Sequence, residues 1–237
     1  MDTKTVIVGA GRLGRSAAQI LDNKGHPFVL VGRGDAIPPA RLTWLTVPDR
    51  EIANASERVP EGGVVLHASG AHTIEPLSNH THAGSLHPLM TFPGPEMGLP
   101  TATTIPAAVA GHPAAVRAAK TLAHQLGFSP FVVPGDRVLY HAAAVIAGNF
   151  ASLLLIEAGK VLAAAGVPED QCRNVLLPLA TASLNATAHH GPSALTGPVA
   201  RSDDAVIRAH MDALARLDPS TRELYGKLVE ATRKLKT

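Results

Sequence analysis

With 237 residues, 46% of them hydrophobic and 17% charged, the chain has the apolar content to fold and too little charge to stay disordered, and its length suits two modest domains. A scattered net charge of +2 and an aromatic content of 3% offer neither a basic stripe nor rings for base stacking, which argues against nucleic acid and against a polybasic membrane anchor. The single cysteine, Cys172, excludes an internal disulfide and a multi-cysteine metal site and suits a reducing, cytoplasmic setting. Met1 to Lys4 run directly into a strand pattern, so no signal peptide is expected, and the expected partner is a small molecule.

Thr5 to Val8 is a β-branched run, followed by an amphipathic stretch from Arg12 to Lys24 that Gly25 should end as a helix C-cap. Phe28 to Val31, Trp44 to Val47 and Val64 to Ala68 are unbroken apolar runs, the pattern of strands covered on both faces of a parallel sheet. Pro48 and Asp49 should stop the third strand and cap a helix reaching about Val59. From Ser69 to Pro113 the pattern loosens, with short strands expected near Gly84 to Leu86 and Thr103 to Ile105. A helix from Pro113 to Leu126 and a last strand from Phe131 to Val133 then complete a first domain, residues 1–136.

Residues 137–237 have helical period throughout, with helices expected at Val138 to Ala165, Pro168 to Ala188 with a kink at Pro178, Asp203 to Leu217 and Pro219 to Lys236. The stretch Gly191 to Pro198 is too rich in glycine and proline to be read as helical. Ala142 to Ala165 is apolar enough to suggest a membrane span, but Asn149, Glu157 and Lys160 would be costly in hydrocarbon. The expectation is therefore a helix buried in the helical half or at a dimer interface, with no membrane segment. The fold class read from this order is an α/β Rossmann-type domain with a mostly parallel sheet, followed by a smaller all-α domain for substrate binding or dimerisation.

Gly9, Gly11 and Gly14 form a GxGxxG between a strand and a helix, the context in which that motif grips a pyrophosphate. The expected cofactor contacts in this loop are Gly9, Gly11, Arg12, Leu13 and Gly14. NAD-selective sites carry an acid at the end of the second strand, whereas this strand runs into Gly32 and Arg33. Arg33 can pair with a 2′-phosphate, with Arg12 as a second contact, so NADP is favoured over NAD, which Asp35 keeps open.

Twelve histidines are many, and His67, His72, His80, His82 and His87 crowd one region. No HExxH or cysteine pair accompanies them, so no metal is expected and His80 and His82 read as exposed loop residues. Ser69 and Gly70 follow the fourth strand, at the sheet edge where cofactor and substrate meet in such folds. His87, with a near-neutral pKa expected, is a candidate general acid or a structural histidine. Tyr140, His141 and Asn149 interrupt an apolar helix. His141 and Asn149, two turns apart, either face a cleft or form a buried pair that fixes packing.

Taken together, the glycine loop, Val47 to Asp49, His67 to Gly70, Ser85 to Pro88, Tyr140 to Asn149, and Ala194 to Pro198 with Arg201 and Asp203 resemble a family of bacterial two-domain proteins. That family joins a Rossmann-like NADP-binding domain to a helical domain of unknown function. The layout is also similar to the wider superfamily of ketopantoate reductase and phosphogluconate dehydrogenase. The resemblance implies hydride transfer in an interdomain cleft, commonly in a homodimer. The first helix of the second half has no lysine before Lys160, where ketopantoate reductases place a catalytic one, so that reaction is disfavoured. Under this reading His87 or His141 donates a proton and Asn149 orients the substrate, while Tyr140, Thr196 and Arg201 contact it, the last two through an anionic group. The function expected is an NADP-dependent oxidoreductase acting on a small oxo acid or imine. The alternatives are a catalytically inactive dinucleotide-binding regulator and a metal-dependent hydrolase.

Overall fold

The computed structural model describes residues 5–100 and 104–235. Seven strands form one sheet in the order β2-β1-β3-β4-β5-β6-β7: β1 (Thr5–Val8), β2 (Phe28–Val31), β3 (Leu42–Leu45), β4 (Val64–His67), β5 (Ala83–Pro88), β6 (Ile105–Gly111) and β7 (Phe128–Val132). Every neighbouring pair is parallel except β5 with β6. This is the mostly parallel Rossmann-like sheet expected, followed by a helical region.

Alternation along β1 shows how the sequence builds two layers of core. Ile7 packs with Leu21 of α1 (Arg12–Asn23) and Leu122 of α3 (Pro113–Leu126). Val6 and Val8 face the opposite way, toward Ile52 and Ala55 of α2 (Ile52–Glu57). Helices therefore cover both faces, as unbroken apolar strands require. Gly25 and Gly127 lie in the left-handed region at φ +70° and +79° and end α1 and α3 where expected.

Several boundaries differ from the sequence expectation. β3 ends at Leu45, in register with Val8, because Thr46 turns its hydroxyl to donate to Val8 O and Gly9 O. Asp49 does not cap a helix: it opens a 3₁₀ turn, Asp49–Glu51, and its carboxylate accepts from Ser69 Oγ instead. β5 and β6 are longer than expected, and β6 begins at Ile105, Thr103 lying outside the described residues. β7 starts at Phe128, directly after Gly127, because it aligns with Ile105 of β6.

By packing, the chain divides into two compact units, one ending at Gly148 and one starting at Asn149. The expected division at 136/137 instead marks the start of α4 (Arg137–Val145), whose first residue is hydrogen-bonded to loop carbonyls after β4 and so belongs with the sheet.

A π-turn over Ile146–Phe150 follows, then α5 (Ala151–Ala164), α6 (Glu169–His190), α7 (Gly197–Ala200), α8 (Asp204–Leu217) and α9 (Pro219–Lys234). α6 continues through Pro178. The stretch from Gly191 is partly helical after all, as a 3₁₀ turn, Gly191–Ala194, followed by α7. Pro192 and Pro198 sit in the first turns, where a missing N–H is harmless.

Arg137 to Ala164 forms the one helix among the described residues that is long and apolar enough to cross a membrane, and its most apolar stretch is not buried by the chain itself. Burial within the helical half is therefore overturned as an expectation. Leu139, Ile146, Phe150, Leu153 and Ile156 are 70%, 61%, 51%, 44% and 53% exposed. On α6, Val175, Leu177, Leu179 and Leu184 are exposed as well.

Candidate cofactor cleft and histidine site

The chain leaves β1 for β2 on one side and returns to β3 on the other, so the carboxyl ends of β1 and β3 flank the switch point where doubly wound sheets bind ligands. A cleft of about 420 Å³ opens there. It is lined by Gly9 to Gly11, by Gly32 and Arg33 after β2, by Thr46 to Pro48 after β3, and by Asn54 and Arg58 of the α2 segment.

The glycines have separable reasons. Gly9 sits at φ +115° against Thr46. A Cβ on Gly14 would meet Gly9 O at 1.9 Å, so α1 can approach the loop only with glycine there. Gly11 has nothing within 4 Å of a would-be Cβ, so the space beside it is open. No side chain caps the α1 N-terminus and its first turn holds no acid, which leaves its N–H groups and positive dipole end to an anion. These residues fit a dinucleotide.

Arg33 lines the cleft as expected. Arg12 does not; the second guanidinium there is that of Arg58, which donates to Asp35 O at 2.5 Å. The Leu13 side chain packs on the core, so any contact it makes to a ligand is through its backbone. Asp35 is occupied in accepting from Gly32 N at 3.0 Å.

Beyond β4 the loop from His67 to Thr73 is tied down from within. His67 is fully buried. Its Nδ1 accepts from Ser69 N at 3.1 Å, which leaves Nε2–H to donate to Thr73 O at 2.8 Å. Burial lowers its pKa to about 4, keeping the ring neutral. Ser69 is buried too, with Oγ donating to Asp49 Oδ2 at 2.7 Å and accepting from Ala71 N and His72 N. It orders the loop and is not a free contact for a ligand.

Arg137 completes the clamp. Its Nε donates to His72 O and its Nη2 to Ser69 O, both at 3.0 Å, while the buried Nη1 has no partner. Among the described residues no carboxylate pairs with this nearly buried guanidinium. Burial pulls its pKa below the ordinary arginine value.

Over this loop the structure brings together four of the expected residues. His87, at the carboxyl end of β5, lies with Nδ1 2.7 Å from Tyr140 Oη, its ring edge-on to Tyr140 and to His141 at 5.6 and 6.0 Å. Gly70 lies beneath: a Cβ there would stand 2.7 Å from His141 Cδ2 and 2.9 Å from His87 Nε2. His87 is not the near-neutral acid expected. Burial first, then electrostatic repulsion from the His141 and Arg137 side, lowers its pKa to about 4, so the ring is neutral at pH 7. A neutral imidazole can still donate a hydrogen bond and polarise a carbonyl.

The other expected residues belong to the helical unit. Asn149 is exposed in the π-turn, Thr196 stands at the N-cap of α7, and Arg201 is exposed at its C-terminal end. His80 is a correction: it is buried, with Nε2 at 3.1 Å from Ser56 O, while His82 is exposed. Among the described residues no three histidine, cysteine or acidic side chains gather as metal ligands.

Many solved structures match along nearly the whole chain, three of them as follows. A Bacteroides fragilis protein named provisionally as an NADP oxidoreductase is 24% identical, with a TM-score of 0.82 over 98% of each chain. Protein TM1727 of Thermotoga maritima is 22% identical, with a TM-score of 0.74 over 97% of each. The Aspergillus terreus reductive aminase, solved with NADPH and ethyl levulinate, is 18% identical, with a TM-score of 0.67 over 99% of this chain and 94% of that one. These likenesses carry the fold. No curated protein matches the sequence. The family model described as a domain of unknown function, DUF2520, matches residues 105–232, more than half of the chain, which therefore belongs to the DUF2520 family.

Proposed function

We propose that the protein is an NADP-dependent oxidoreductase acting on a small oxo acid or imine. The observation that carries this reading is the cleft at the switch point: open space at Gly11, an uncapped helix N-terminus, and Arg33 with Arg58 in one lining. Backbone N–H groups at the start of α1 would hold the pyrophosphate, and the two guanidinium groups would select a 2′-phosphate. When bound, the reduced nicotinamide supplies a hydride to the substrate carbon. The neighbour solved with NADPH and a keto ester supports this class of reaction.

Gly70, His87, Tyr140 and His141 supply the polar groups of the reaction site, with His87 polarising the substrate carbonyl or imine. The many exposed apolar side chains of α5 and α6 support a homodimer as the working form, since extensive exposed apolar surface is rarely left to water.

Titration with NADPH and NADH, followed by nucleotide fluorescence and thermal shift together, tests the reading. NADPH-selective binding is expected, and Arg33→Ala and Arg58→Ala should each weaken NADPH more than NADH. Binding of neither nucleotide overturns the proposal. Tight binding with no turnover across oxo acids and imines would favour a dinucleotide-binding regulator.

A further inference from the structure

Reducing a C=O or C=N bond adds a hydride to carbon and a proton to the heteroatom, and the proton needs a source in the protein. The two ring nitrogens of His87 stand in different situations. Nδ1 is 2.7 Å from Tyr140 Oη, whereas Nε2 has no hydrogen-bond partner among the described residues and lies over Gly70. Two arrangements satisfy this geometry. Either the Tyr140 hydroxyl donates to Nδ1 and Nε2–H points outward, or Nδ1–H donates to Tyr140 and Nε2 is a bare acceptor.

Arg137 favours the first. Its guanidinium carbon is 5.9 Å from the Tyr140 ring centroid, and among the described residues no carboxylate forms an ion pair with it. A fixed cation there favours electron density on the phenol oxygen and opposes a second proton on His87. Burial raises the Tyr140 pKa and keeps the hydroxyl protonated as a donor at rest, and the Arg137 charge offsets part of the cost of its losing that proton.

Building on the oxidoreductase reading, we propose that Tyr140 and His87 form a proton relay, with Tyr140 as the proton source and Arg137 as the positioning residue that stabilises the phenolate left behind. As hydride reaches the substrate carbon, the His87 Nε2–H bond breaks and its proton joins the substrate oxygen or nitrogen. Nδ1 takes the Tyr140 hydroxyl proton in the same step. His87 is neutral before and after, its proton having moved from Nε2 to Nδ1, and the negative charge resides on Tyr140. After product leaves, solvent protonates Nε2 while Nδ1–H returns to the phenolate, restoring both residues. The arrangement delivers a full proton without the imidazolium ever forming.

The test reads the tautomer directly. Protein labelled with ¹⁵N in histidine is examined by long-range ¹H–¹⁵N NMR at pH 7, with His87 assigned from His87→Gln. The expected result is the neutral Nε2–H tautomer, changing to the Nδ1–H form or a mixture in Tyr140→Phe while Trp44 fluorescence shows the fold kept. An Nδ1–H tautomer or an imidazolium in the wild type overturns the relay, as does a Tyr140→Phe spectrum identical to it. For any oxo acid or imine turned over, Tyr140→Phe should lower kcat on the order of 100-fold with NADPH affinity within about twofold; an unchanged kcat also overturns it. Failure to bind NADPH removes the oxidoreductase reading and the relay together, whereas NADPH binding with the wrong tautomer removes the relay alone.

Discussion

Acidification should unfold the sheet unit from within, through His67 and His87. Both have pKa values lowered from 6.5 to about 4, chiefly by burial. The unfolded chain takes up each proton near pH 6.5 and the folded chain only near pH 4, so between these values the unfolded state binds more protons and stability falls with falling pH. Stability is full above about pH 6.5 and is lost progressively down to about pH 4. At 1.36 kcal/mol per pKa unit each histidine is worth about 3 kcal/mol over that window, so the pair draws on a large part of the roughly 5–15 kcal/mol that holds a domain folded. Trp44, the only tryptophan, is fully buried in the sheet and reports this unit alone, which avoids averaging over two units. Urea unfolding followed at Trp44 at pH 7 and pH 4.5 should show a loss of several kcal/mol in the wild type, and a loss smaller by about half in His87→Gln. Carboxylates that titrate in this range are common to both proteins and cancel in the comparison. Equal losses in the two proteins would refute the claim that His87 is held neutral by burial.

Gly11→Ala should leave stability within about 0.5 kcal/mol, because its Cβ meets nothing, yet weaken NADPH binding at least tenfold; a variant that binds NADPH normally means the phosphates lie elsewhere. Gly70→Ala drives a methyl into both His87 and His141, so oxo acid or imine turnover should collapse while nucleotide affinity holds, and retained turnover would place the chemistry away from these rings. Ile156→Glu, on an exposed apolar position of α5, should convert a dimer to a monomer by light scattering without moving the Trp44 transition, and an unchanged mass would direct attention to another surface.

What the sequence displayed was whatever is settled by neighbours in the chain. β1, α1 and β2 fall where their patterns place them because glycines 9, 11, 14 and 25 punctuate them. Only the start of β6 was legible, because Pro106 breaks the apolar run that marks a strand, although the residues after it pair on both sides. Arg58 was masked by the expectation of a helix reaching Val59, on whose surface it reads as one more solvated charge. The available signal was its i,i+4 spacing from Asn54, which puts both on one helical face, and both line the cleft. Tyr140 and His141 stood out as polar breaks in an apolar helix. Arg137 did not, because its partners are the carbonyls of Ser69 and His72, more than sixty residues earlier, and no local pattern encodes them.

The distribution of costs across the sheet unit gives its own argument for where the chemistry lies. Away from this edge Trp44 Nε1 donates to Leu86 O and His80 Nε2 lies against Ser56 O, although Ser16 Oγ in α1 is buried without a partner. At the carboxyl edge the protein retains a buried guanidinium whose Nη1 amino group has no partner, an omission worth about 1–3 kcal/mol. Beside it stand two histidines that acid would pull apart from the fold, and a glycine where any side chain would displace both catalytic candidates. Buried Ser85 Oγ, unpartnered on the same strand as His87, adds to the set. Each departure from the most stable choice is individually affordable, but packing needs none of them, and three separate segments contribute: the loop after β4, the end of β5 and the start of α4. Concentrated local costs at the edge where a doubly wound sheet receives its ligands support the proposed reaction site. The histidine-rich stretch around His80 and His82, where one ring is a satisfied structural group and the other faces water, is not that site.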